Sequence, residues 1–122
     1  MNRVWIAVDT LIVVVFVGIG RSSHHHGLRL TGFLSTTWPF AVGLGLGWLY
    51  LRFRRQSGAS LRGGVAVWLS TVAVGMVLRV LSGQGTALAF IFVALGFLGG
   101  LMLGLRMVVS RYVRWHRARI SL

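Results

Sequence analysis

Arginine placement constrains this chain more than any other feature. Four apolar stretches, at about 4–20, 33–53, 64–82 and 86–106, are separated by connections that alternate between arginine-rich and arginine-poor. Each stretch is about long enough to cross the ~30 Å hydrocarbon core of a bilayer as a helix. Arg3 precedes the first stretch, and Arg52, Arg54, Arg55 and Arg62 cluster around the gap between the second and third. Arg106, Arg111, Arg114, Arg117 and Arg119 close the fourth. The other two gaps hold only Arg21 and Arg29. By the positive-inside rule this bias puts both termini in the cytoplasm. The expected fold is an all-α integral membrane four-helix bundle, N-in/C-in, with a basic amphipathic segment at 107–122.

Composition narrows the chemistry. Of 122 residues, 56% are hydrophobic, and the net charge is +12 with a single acidic side chain, Asp9. A charge this positive raises nucleic acid as a partner. Here, however, the basic residues flank apolar spans and form no separate basic domain, so anchoring to anionic headgroups of the bilayer is the expectation instead. The chain lacks cysteine, which removes disulfides, thiolate metal sites and thiol nucleophiles. A single carboxylate cannot supply a paired-acid hydrolase or a carboxylate-rich metal centre. The inventory therefore predicts no enzyme, no cofactor and no metal. Arg3 ahead of an apolar run ending near Gly20 resembles a secretory leader, but Asp9 interrupts that run and three further spans follow. A membrane anchor is the expectation.

Asp9 is the sharpest candidate for function. A rise of ~1.5 Å per residue places it only ~8 Å from the inner end of the first span. A carboxylate there must face the bundle interior or find a partner, because exposing it to lipid costs a few kcal/mol. Arg79 lies too far along the third span, roughly 14 Å away in depth. Ser70, Thr71 and Trp48 lie at the right height, and Arg52 or Arg106 can reach up from the inner boundary. Two readings follow: a proton or cation site, or a carboxylate whose hydrogen bonds lock the first three helices together.

A second cluster is expected outside, where Arg79 meets Arg21, His24, Gln84 and Thr86, either as an interfacial anchor or as an anion site. His24, His25 and His26 are adjacent, and consecutive histidines rarely converge on one metal. Pro39 is placed near the outer start of the second helix, with Thr36 or Thr37 as its cap and a kink as the alternative. Gly43 and Gly47, and then Gly96, Gly100 and Gly104, form smooth faces for close helix contact within one chain or between copies or partners. Trp5, Trp48, Trp68, Tyr50 and Tyr112 fit an inner aromatic belt and Trp38 an outer one. Arg52, Arg54, Arg55, Arg62, Arg106, Arg111, Arg114 and Arg117 are the expected contacts to anionic lipid.

Several short words recur in order: Gly20-Arg21-Ser22-Ser23-His24 with Gly27, then Trp38-Pro39-Phe40, Gly47-Trp48-Leu49, Val67-Trp68, Gly75-Met76-Val77-Leu78-Arg79 and Gly85-Thr86-Ala87. Over residues 8–106 the chain resembles the domain of unknown function 3054 family of small, mostly actinobacterial membrane proteins. Ser22 and Arg29 depart from that pattern. The resemblance implies four membrane helices, a bacterial plasma-membrane location and a motif set including Asp9, Arg21, His24, Trp38, Pro39, Trp48, Trp68 and Arg79. It implies no activity. Three functions follow as expectations: a non-catalytic membrane module or accessory subunit, a small proton-linked transporter or channel using Asp9, and a protein that binds anionic lipid.

Overall fold

A computed structural model describes residues 2–23, 30–84 and 88–121. It contains four helices: α1 (Asn2–Ser23), α2 (Leu30–Phe53), α3 (Leu61–Leu81) and α4 (Leu88–Ser121). Each packs on its chain neighbour, and α4 returns to touch α1, which closes a four-helix ring. Short connections between α2 and α3 and between α3 and α4 force antiparallel neighbours.

Three helices, α1, α3 and α4, are long and apolar enough to cross a membrane. At 24 residues α2 has the length, but Thr36, Thr37, Trp38, Pro39 and its glycines dilute its apolar content. Large apolar side chains point outward all round the ring, among them Leu11, Val15 and Ile19 on α1, Leu46 and Leu49 on α2, Leu69 and Val77 on α3, and Phe92 and Val93 on α4. So broad an exposed apolar surface is untenable in water and is what lipid requires.

The interior is divided along its length. Toward one end, Phe16 packs edge-on against Phe40 at 5.7 Å and meets Phe90 and Phe97 at 5.8 and 5.5 Å. Val13, Leu98 and Met102 continue the dry core downward. The tightest seam joins α2 to α3. A Cβ on Gly43 would sit 2.7 Å from the Ser70 carbonyl oxygen, and one on Gly47 would sit 3.0 Å from the Val67 Cα. The two backbones therefore touch through glycine. Ser70 Oγ then donates to the Gly43 carbonyl at 2.7 Å. The glycine face of α2 is thus spent inside the chain. Gly96, Gly100 and Gly104 of α4 have open space beside them.

Helix ends follow ordinary rules with one exception. Ser60 caps α3 by accepting from the Gly63 N–H at 3.0 Å. At the end of α3, Gly83 adopts φ +80°, and Gln84 N–H and Gly83 N–H return to Arg79 and Val80 carbonyls, a Schellman closure. The end of α2 closes identically, through Gln56 to Leu51 and Arg55 to Arg52, but with Arg55 at φ 54° where glycine is customary.

Of the two readings open for the tail after residue 106, a segment on the membrane surface or an extension of the fourth helix, the second holds for the described residues, since α4 runs unbroken to Ser121. One expectation changes. Pro39 lies well inside α2, because the helix begins at Leu30. Thr36 accordingly donates to the Gly32 carbonyl at 3.1 Å within the helix.

Candidate functional site

Asp9 lies on the inward face of α1, two turns from its start, and is completely buried. Its partner is Arg106 of α4, itself 1% exposed. Arg106 Nη1 donates to Asp9 Oδ1 at 2.9 Å and Nη2 donates to Oδ2 at 2.7 Å. This fork-to-fork pairing is the strongest geometry open to the two side chains. Two of the three remaining N–H donors are also engaged. Nε bonds the Gly58 carbonyl at 2.7 Å in the α2–α3 loop, and Nη1 also reaches the Met102 carbonyl at 3.2 Å. Trp5 covers the guanidinium face, its ring centre 4.7 Å from Cζ, a cation–π contact made stronger by the burial of both side chains. One arginine thus joins α1, α4 and the loop between α2 and α3.

That arginine can lie there because Gly64 leaves it room. A Cβ at Gly64 would collide with Arg106 Cδ and come within 2.9 Å of its Nε. The Trp48 indole N–H is buried beside the same carboxylate but closes no hydrogen bond of normal geometry.

Of the residues expected around Asp9, Ser70 and Thr71 make their hydrogen bonds elsewhere. Ser70 bonds Gly43, and Thr71 donates back to the Val67 carbonyl at 2.7 Å within its own helix. Arg52, the alternative counterion, is exposed. Arg106 is removed from the lipid-contacting set, because its charge is spent inside the bundle. Arg54, Arg55, Arg62, Arg111, Arg114 and Arg117 are exposed. The inner aromatic belt also loses members. Trp5 lies against Arg106, Trp48 beside Asp9, and Trp68 donates to the Leu95 carbonyl at 3.1 Å in the space Gly99 leaves free. Trp38, Tyr50 and Tyr112 are exposed.

The outer cluster has a cause that is local to α2. Pro39 has no N–H, so the carbonyl four residues earlier, that of Ser35, loses its helical donor. Gln84 Nε2 takes that carbonyl at 3.1 Å. Arg79 Nη1 in turn donates to Gln84 Oε1 at 3.2 Å, while its Cζ lies 4.7 Å from the Phe90 ring centre. The expected Arg79–Gln84 pairing is therefore present. The Arg21 side chain, His24 to His26 and Thr86 lie outside the described residues. Among the described residues, no group of three or more His, Cys, Asp or Glu side chains comes together.

Three participants were missed from sequence: the Gly58 carbonyl, the room left by Gly64 and the Ser35 carbonyl. Only the last had a signal, since any proline inside a helix frees the carbonyl four positions earlier. Placing Pro39 at the helix start hid it.

Fold and site together define a helical bundle with a lipid-compatible exterior and one internal ion pair. A family model described as protein of unknown function (DUF3054) matches residues 6–109, and the chain belongs to that family. No curated protein and no solved structure matches it.

Proposed function

We propose that this protein is a non-catalytic module of the bacterial plasma membrane, acting as an accessory subunit or a small oligomer, with both termini and the α2–α3 loop in the cytoplasm. The observation that carries the reading is the state of Asp9. The chain's one acidic side chain is fully buried and held at both oxygens by Arg106. A carboxylate engaged in this way acts as a fastener. It is poorly suited to loading and releasing a proton or cation during transport. The arginine-rich end of the bundle, with Arg52, Arg54, Arg55, Arg62 and the α4 extension, faces the anionic leaflet in this orientation.

The surface available for assembly is the outward strip of Gly96, Gly100 and Gly104, where another apolar helix can approach closely. Affinity capture from native membranes after gentle solubilisation and cross-linking tests the reading. It should return a defined oligomer or a stoichiometric companion, whereas a stable monomer without companions would contradict it. Proton-linked flux in proteoliposomes that disappears in Asp9→Asn, with the fold retained, would favour transport instead.

A further inference from the structure

At the cytoplasmic end in this orientation, a cavity of ≈ 170 Å³ lies between Leu61 at the start of α3 and the facing side of α4. Leu61 forms one wall, and Arg106, Met107, Ser110, Arg111 and Arg114 form the rest. The volume is several times the roughly 30 Å³ share of one water molecule, enough for a phosphate group. Its charge is uniformly positive. Arg106 gives four of its five N–H donors to Asp9, Gly58 and Met102 and forms a wall of the cavity.

Arg111 and Arg114 line the cavity and are exposed. Arg114 Nη2 donates to Ser110 Oγ at 3.2 Å, which steadies the side chain while leaving most of its five N–H donors free. No acidic side chain competes, because the chain's one carboxylate is committed elsewhere.

We propose that this cavity seats the phosphate of an anionic lipid headgroup, gripped by Arg111 and Arg114. The ligand chemistry is a phosphate ester with a net negative charge. A lipid is favoured over a free anion because the mouth is edged by apolar surface. Leu61 and Met107 are each nearly half exposed, at 47% and 45%, and Val108 beside Met107 is 65% exposed. Those side chains offer an acyl chain a path along α4 directly from the phosphate position. The site rests on the membrane placement and not on the accessory role, so failure of either leaves the other standing.

The test places the full chain in phosphatidylcholine nanodiscs doped with phosphatidylglycerol and counts lipids retained on the ejected protein by native mass spectrometry. Arg111→Gln/Arg114→Gln is compared with Arg54→Gln/Arg55→Gln, which removes the same charge from the inner loop. All four residues are exposed, and circular dichroism checks the helix content of each variant. At about a tenfold loss for each 1.4 kcal/mol and ~1 kcal/mol per interfacial arginine, the first pair should weaken phosphatidylglycerol retention about thirtyfold. The second pair faces the same leaflet but lies outside the cavity lining, so it should weaken retention clearly less than the first. Equal losses in both variants would show diffuse attraction and overturn the site, as would no loss in the first. Release of the lipid by inorganic phosphate in the buffer would overturn the lipid assignment.

Discussion

Arg106 and Arg79 are the same side chain, each within a long helix of one bundle, and they are held in opposite ways. Arg106 is buried, meets a carboxylate with both terminal nitrogens, and is roofed by Trp5. Arg79 is half-buried, meets the neutral amide of Gln84, and lies over Phe90. The inner arginine ties distant parts of the chain together, ninety-seven positions apart at Asp9. Among the described residues, the outer one donates to a residue five positions away. The comparison teaches that proximity to a helix end does not decide how an arginine is used. The charge of its partner and the space left by a facing glycine decide it. Gly64 makes that space for Arg106.

The largest effect separating the two should come from removing each arginine. Arg106→Met leaves the Asp9 carboxylate buried without its counterion and should cost about 3–5 kcal/mol, read as a drop in reversible unfolding midpoint in mixed micelles. Arg79→Met removes a hydrogen bond to the neutral amide of Gln84 and a contact with the Phe90 ring, and should cost less than half as much. Equal losses would break the comparison.

Gly64→Ala comes next. The added methyl meets Arg106 Cδ, so the side chain must shift, and crowding of this kind costs typically about 1–3 kcal/mol. The cost should shrink sharply when Arg106 is already Met. If it persists there, the glycine serves the backbone and not the arginine.

A smaller effect belongs to the outer cluster. Gln84→Leu leaves the Ser35 carbonyl without its donor, worth about 1 kcal/mol. In Pro39→Ala the restored N–H can satisfy that carbonyl, so the same Gln84 change should then cost less, with only the bonds to Arg79 and Ser82 lost. Independent effects of the two substitutions would mean that the proline does not create the cluster.

The smallest pair concerns the two Schellman ends. Gly83→Ala forces a left-handed conformation on a residue that resists it and should cost about 1 kcal/mol. Arg55→Gly relieves the corresponding strain and should stabilise by up to that amount. Identical signs for the two would show that the positive φ angles are not what distinguishes them.

Much of this architecture was written in the residues. Four helical segments and their apolar character follow from the long runs around Val13, Leu44, Val67 and Leu98, because lipid demands continuous apolar length. Family membership was legible from the ordered short motifs. The need for a partner to Asp9 also followed, since an intramembrane carboxylate is costly alone. The choice among Ser70, Thr71, Trp48, Arg52 and Arg106 did not. It depends on helix rotation, which a sequence apolar on nearly every face leaves undetermined. Rotation turns Trp5, Trp48 and Trp68 into the bundle as well, whereas an interfacial tryptophan and a buried one look alike in the chain. The fate of the glycines was hidden for the same reason: Gly43 and Gly47 meet α3, while Gly96, Gly100 and Gly104 meet nothing within the described residues.

The most direct test of the Asp9–Arg106 fastener is a double-mutant cycle on unfolding free energy in mixed micelles, with Asp9→Leu, Arg106→Met and their combination. Each single change strands a buried charge, whereas the combination leaves an apolar contact of similar volume. The double variant should therefore be more stable than either single one, with a coupling of at least about 2 kcal/mol. Additive losses, with the double variant the least stable of the three, would contradict the account.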